Sequence, residues 1–295
     1  LWSITGTLLK TFKGHSDAVV SIAFSPNNKL LASGSFDKSV KLWSLDAPTP
    51  SILQGHRDRV LSVAWSPDGQ MLASGSSDRT VKLWQRYTNN GEVKTRLYKT
   101  LVGHTNKVSS VSFDPKGEML ASGSFDKTVK LWRLDGTLIM TLHGHTDSVM
   151  SVNFSPDGQL LASASKDKTV KLWNRQGKLL KTLVGHQGWV NSVNFSHDSQ
   201  VLATASDDQT VKLWQRDGTL LKTFSPNDSW VMGVSFSPND ELLASASWDN
   251  TVKLWRRDGT LLKTLLKGYS DSVNAVTFSP NGELLAAASW DGTVK

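Results

Sequence analysis

Five times along the chain a histidine, a serine or threonine and an aspartate recur at fixed intervals, each set followed by a tryptophan. The sets are His15, Ser33, Asp37 and Trp43; His56, Ser74, Asp78 and Trp84; His104, Ser122, Asp126 and Trp132; His145, Ser163, Asp167 and Trp173; and His186, Thr204, Asp208 and Trp214. Carboxylate, imidazole and hydroxyl are the parts of an acyl-transfer triad, in which the imidazole takes the hydroxyl proton and the carboxylate fixes the imidazole. Repetition argues against that use. Five copies would be five identical active sites, with no oxyanion hole or pocket signal to single one out. The same groups also satisfy a buried histidine, whose two ring nitrogens each need a partner. We expect no catalytic residue and no enzyme.

Other chemistry is thinly represented. His143 and His145 form an H-x-H, but His145 already belongs to a set, and His197 stands alone in a turn, so no metal site is expected. No phosphate-binding loop of the G-x-x-x-x-G-K-[ST] type occurs, and no cofactor is expected. The pair Asp207-Asp208 falls in a turn, where acids are commonly solvated. There is no cysteine, which removes disulfides and thiolate chemistry and fits a reducing, cytoplasmic setting. The apolar runs are too short to span a bilayer, and the first thirty residues lack a secretory signal, so no membrane partner is expected. The formal net charge is +7. Much of it is the lysine of the recurring V-K-L-W (Lys41, Lys82, Lys130, Lys171, Lys212, Lys253 and Lys295). Lysines spaced evenly around a ring differ from a stripe along a groove, and no nucleic-acid partner is expected.

A period organises these residues. The aspartate of the D-x-T/S-V-K motif stands at 37, 78, 126, 167, 208, 249 and 291, at intervals of 41, 48, 41, 41, 41 and 42. Joining Lys295 to Leu1 completes the circle with another interval of 41. Each unit reads as four short strands, as in Ser151 to Ser155, Leu160 to Ser165, Thr169 to Trp173 and Lys178 to Leu183, separated by turns such as S-P-D-G-Q. No helical periodicity persists. A four-stranded sheet of this size cannot cover both faces alone, whereas seven stacked radially can.

The G-H dipeptides beginning at Gly14, Gly55, Gly103, Gly144 and Gly185, the turn aspartate and the K-L-W together resemble WD40 repeats across the whole chain. One departure is that aspartate never follows the tryptophan; Ser3, Ser44, Gln85, Arg133, Asn174, Gln215 and Arg256 stand there. The resemblance implies an all-β, seven-bladed β-propeller of four-stranded antiparallel blades, one domain over residues 1–295. It also implies a hydrogen-bonded chain from turn Asp to His to Ser/Thr to Trp in each of the five sets. The last blade would be completed by about residues 1–12, with Trp2 as its tryptophan and Leu1 close to Lys295. Sixth and seventh units lack the full set: Asn227 and Tyr269 replace the histidine and Ala287 the serine, so these blades are expected to be the least rigid. The D-G-T-L-L-K-T-L linkers resemble propeller regions of bacterial multidomain signalling proteins.

Sites on a repeated frame are sought where the units differ. Three positions vary most. Before the turn aspartate stand Phe36, Ser77, Phe125, Lys166, Asp207, Trp248 and Trp290. Before the first strand's valine stand Ala18, Arg59, Lys107, Ser148, Trp189, Trp230 and Ser272, and after it Val20, Leu61, Ser109, Met150, Asn191, Met232 and Asn274. The resemblance places all three around the mouth of the central channel. The candidate contact surface is therefore Phe36, Phe125, Trp189, Trp230, Met232, Trp248 and Trp290, with Arg59, Lys107 and Lys166 on the other arc, suiting a ligand with an apolar and an acidic end. The expected function is a non-catalytic scaffold that binds protein or peptide, monomeric as an isolated domain, and a regulatory or sensing module of a larger protein. The alternative is a purely structural ring, recently amplified or designed, without a dedicated ligand. The long segment Gln85 to Thr100 is expected to form a longer hairpin turning at Asn89-Asn90-Gly91 on the opposite face.

Overall fold

In the computed structural model seven sheets follow one another around a ring, and the structure describes residues 1–45, 49–90, 92–225, 229–265 and 268–295. Asn227 and Gly91, on which two of the expectations above fall, lie outside them. The fourth blade shows the plan, with strands Val149–Phe154, Leu160–Ser165, Thr169–Asn174 and Leu179–Val184 paired antiparallel in chain order. The innermost strand of each blade contacts that of its neighbours all the way round, so these strands wall a central channel. The turn joining second to third strand ends at one face of the ring, here called the top. It is tight because the residue after the aspartate adopts a left-handed backbone, as Lys168 does at φ 69°.

The pleat decides how blades stack. Successive residues of the second strand point to opposite faces. In the fourth blade, Leu161 and Trp173 pack with Val149 and Val152 of the same blade against the third blade's Leu131 and Leu142. Ala162, Ala164 and Leu172 face the other way, onto Val193, Phe195 and Trp214 of the fifth. Seven such clusters exist among the described residues, one in each gap between blades. Among the described residues no cluster lies within a single blade.

Polar ties cross the same gaps. Val63 N–H donates to Ser21 Oγ of the preceding blade at 3.0 Å, and Val111 to Ser62, Val152 to Ser110, Val193 to Ser151 and Val234 to Ser192 at 3.0–3.4 Å. At the two gaps flanking the seventh blade the equivalent positions are Gly233 and Ala275, which carry no hydroxyl.

The seventh blade is assembled from both chain ends. Lys295 exchanges backbone hydrogen bonds with Ala287, and Trp2 pairs with Leu285 along the same second strand, so Thr293 to Lys295 and Leu1 to Ser3 together form one third strand. Leu8 bridges Trp2, and Phe12–Lys13 pairs with Thr293 and Val294 to supply the outer strand. The expected closure and the role of Trp2 are as read from the sequence. The longer segment is the outer hairpin of the second blade, Thr80–Asn89 paired with Glu92–Val102. Its base binds back to the turn between first and second strand, through Arg86 N–H to Gln70 O at 2.9 Å, which places it on the bottom face.

The missing ties carry a prediction. Ala275→Ser should raise the melting temperature by roughly 1–4 °C by giving the first blade a seventh-blade hydroxyl, whereas Ser62→Ala should cost about 1–3 kcal/mol by stranding Val111 N–H. Chemical and thermal melts of the two variants check both signs. In blade-resolved amide exchange, the inner strand Val273–Phe278 should exchange faster than Val149–Phe154.

Candidate functional site

The repeated sets are brought together as the sequence led us to expect. In the first blade His15 Nδ1–H donates to Asp37 Oδ2 at 2.7 Å, Ser33 Oγ–H donates to His15 Nε2 at 2.7 Å, and Trp43 Nε1–H donates to Ser33 Oγ at 2.8 Å. That proton arrangement follows from the ends: an indole can only donate and a carboxylate can only accept. The second to fifth blades repeat the chain, with His–Asp and His–Ser/Thr distances of 2.7–2.8 Å and Trp–Ser/Thr distances of 2.8–2.9 Å. The imidazoles are at most 1% exposed and Ser33, Ser74, Ser122, Ser163 and Thr204 are 0% exposed. Each hydroxyl already serves an indole and an imidazole, so no substrate can reach it. A methyl group at Gly185 would come within 2.9 Å of Trp214 Cη2, so the glycine before the histidine makes room for the tryptophan.

The sixth and seventh blades are rewired. Where the histidine is missing, the V-K-L-W lysine turns to the aspartate: Lys253 Nζ lies 2.7 Å from Asp249 Oδ2, and Lys295 Nζ 3.0 Å from Asp291 Oδ2. In four other blades that lysine donates instead to an outer-strand threonine, as Lys171 does to Thr182 at 3.0 Å. In the seventh blade Trp2 Nε1 donates to Tyr269 Oη at 3.1 Å, bypassing the missing serine. Six of these seven lysines are buried, so they form no solvated basic ring. Nor is Asp207-Asp208 a solvated pair. Asp208 is bound to His186, and Asp207 accepts from Asn191 Nδ2 at 2.6 Å while burial raises its pKa.

Val20 and its six equivalents, one from each blade, line a single cavity of about 320 Å³ at the top of the channel, together with Phe36, Phe125 and Trp290. Beside it runs a continuous aromatic arc. Trp230 lies 4.6 Å from Trp248, Trp248 lies 5.6 Å from Trp290, and Trp290 lies 5.7 Å from Phe36 across the gap between last and first blades. Met232 and Trp290 both line the cavity. Trp189, Trp230 and Trp290 are 43, 41 and 39% exposed.

The three basic rim residues do not stand apart from the aromatic ones. Arg59 lies over Phe36 at 4.4 Å, Lys107 near Phe125 at 5.9 Å, and Lys166 over both Phe125 at 5.1 Å and Trp189 at 3.7 Å. No cation covers Trp230, Trp248 or Trp290 among the described residues. Five buried side-chain polar atoms lack a hydrogen-bond partner among the described residues, and three belong to the variable positions: Ser77 Oγ, Asn191 Oδ1 and Trp248 Nε1. Unpaired polar atoms gathered at one rim are unlike the fully paired sets beneath it.

Seven stretches match the family model described as WD domain, G-beta repeat: residues 6–44, 48–85, 95–133, 136–174, 177–215, 218–256 and 259–295. Over 43 residues the chain is 49% identical to the periodic tryptophan protein 2 homolog of Schizosaccharomyces pombe, covering 14% of this chain and 5% of that protein. Over 34 residues it is 59% identical to the POC1 centriolar protein homolog A of Danio rerio, covering 12% of this chain and 8% of that one. These matches span single repeats and small fractions of both relatives.

Acid should weaken the ring in two stages. Burial lowers the pKa of His15 below 6.5 against the pull of Asp37, so its unfolded form takes up a proton that the folded form resists, and stability declines as pH falls through 6.5. The turn aspartates act lower. Burial alone would raise Asp37, but hydrogen bonds from Ser39 and His15 outweigh it and bring it to about 2; Asp78, Asp126, Asp167 and Asp208 are lowered in the same way. Their contribution is complete above about pH 4 and lost as pH falls toward 2 and below. Urea melts across pH should show both stages, with the upper one reduced in His15→Gln.

Proposed function

The chain belongs to the WD40 family of WD-domain, G-beta repeat proteins, whose propellers are in general non-catalytic platforms for protein interaction, and from that premise we propose that the top face of this ring binds a protein or peptide around its channel mouth. The observation that carries the reading is the aromatic arc from Trp230 through Trp248 and Trp290 to Phe36, exposed at Trp230 and Trp290 and half-buried at Trp248 and Phe36, bordering the cavity that Met232 lines. Large aromatic and methionine side chains on a rigid rim supply contact area at low entropic cost. The fold does not need tryptophan at these positions, because other blades hold Ala18, Ser77 or Ser148 in the same places. We further propose that the ring serves as a regulatory or sensing module of a larger protein of the bacterial signalling type, working as a monomer in the cytoplasm. The D-G-T-L-L-K-T-L linkers and the lack of cysteine support that setting.

Selection of a random dodecapeptide phage library on the intact protein tests the reading. Recovered peptides should bind the parent protein and lose at least tenfold in affinity for a folded Trp230→Ala, Trp248→Ala double variant, since each anchor is worth about 1–2 kcal/mol. Equal affinity for both proteins would defeat the top-face assignment.

A further inference from the structure

The rim is divided by charge as well as by aromatic content. Each blade offers three rim residues: the one before the first strand's valine and the two flanking the turn aspartate. Of the twelve in the first four blades, seven are lysine or arginine and none is acidic; of the nine in the last three, none is basic. Three of the seven cations are Arg59, Lys107 and Lys166. The other four, Lys38, Arg79, Lys127 and Lys168, follow the turn aspartate at φ 69–72°.

That left-handed backbone position favours glycine, and Gly292 holds it in the seventh blade at φ 77°. Gln209 and Asn250 hold it in the fifth and sixth. A long cationic side chain is therefore no requirement of the turn, yet four successive blades carry one. All four are exposed. None of their side chains has an ion-pair or hydrogen-bond partner among the described residues, whereas the acids of this arc are engaged. Asp17, Asp58 and Asp147 accept the N–H of the following residue at 2.6–2.8 Å, and the turn aspartates are held by histidine.

We propose that this crescent recognises an acidic peptide segment, with carboxylates over the first four blades and an adjoining apolar side chain in the channel mouth beside Trp290 and Met232. The inference rests on the top face being the docking surface and adds the chemistry of the partner. Charge complementarity supports it: the free cations lie on one arc and the cation-free aromatic surface on the other.

The test uses three fluorescein-labelled dodecapeptides and the intact protein. The first carries six glutamates followed by alternating leucine and glycine; the second has glutamine for glutamate and the third serine for leucine. The first should bind most tightly, and about tenfold more weakly when Lys38→Gln, Arg79→Gln, Lys127→Gln and Lys168→Gln are combined. That variant should also lose most of the salt dependence. The substitution keeps the fold because Gln209 already occupies the equivalent position. Equal binding of the glutamate and glutamine peptides, or unchanged binding by the quadruple variant, overturns the proposal. So does tighter binding of a twelve-nucleotide oligothymidylate, which would assign the crescent to nucleic acid. The top-face reading is separable: it fails if the Trp230→Ala, Trp248→Ala protein binds all probes like the parent, whatever the charge variants do.

Discussion

The ring depends on disposing of one buried indole N–H in every blade. Tryptophan fills the gap between blades better than any smaller side chain, but its nitrogen must donate to something inside an apolar wall. The serine oxygen on the neighbouring strand accepts a hydrogen bond from that N–H and its own O–H donates to an imidazole, whose other nitrogen donates to the turn aspartate. This chain crosses from the third strand to the second, then to the loop before the first, and ends in the turn at the top face. One side-chain requirement thereby fixes two loops relative to the sheet.

The candidate surface inherits its rigidity from that anchor. Asp37 also accepts Ser16 N–H and Ser39 N–H, so the turn and the loop beside it share one carboxylate. Phe36 and Lys38 stand immediately either side of it, and Ala18 meets Phe36 through the bond from Phe36 N–H to Ala18 O. Residues flanking an immobile aspartate can change without moving the backbone that presents them. Diversity at the rim and uniformity beneath it are consequences of the same hydrogen bonds, and such a surface binds with little ordering cost.

The period, the four-stranded units, the five hydrogen-bonded chains and closure through Trp2 were legible because they repeat within the sequence and depend on local spacing. The replacement of histidine by Lys253 and Lys295 was not. A lysine identical in all seven units looks uniform, and its choice between threonine and aspartate depends on whether an imidazole already occupies the carboxylate. The pairing of cations with aromatic rings was hidden for a different reason. Arg59 meets Phe36, and Lys166 meets Trp189, only across gaps between blades, so the partners are neighbours in the ring and not in the repeat.

The rewired blades also bear on where the rim could diversify. The tryptophans at Trp230, Trp248 and Trp290 lie in the two blades that lack the histidine chain, and the missing hydroxyl ties, at Gly233 and Ala275, flank the seventh. In these blades the strand's own lysine is ion-paired to Oδ2 of the turn aspartate, and in the seventh the loop's Ser270 N–H donates to the same oxygen at 3.2 Å. In the sixth blade Trp230 and Trp248 sit beside that turn with ring centroids 4.6 Å apart, and Trp248 N–H donates to Trp230 O at 3.0 Å. Trp230, Trp248 and Trp290 thus lie on blades whose turn aspartate is anchored by lysine, while the basic rim residues lie on blades whose turn aspartate is anchored by histidine.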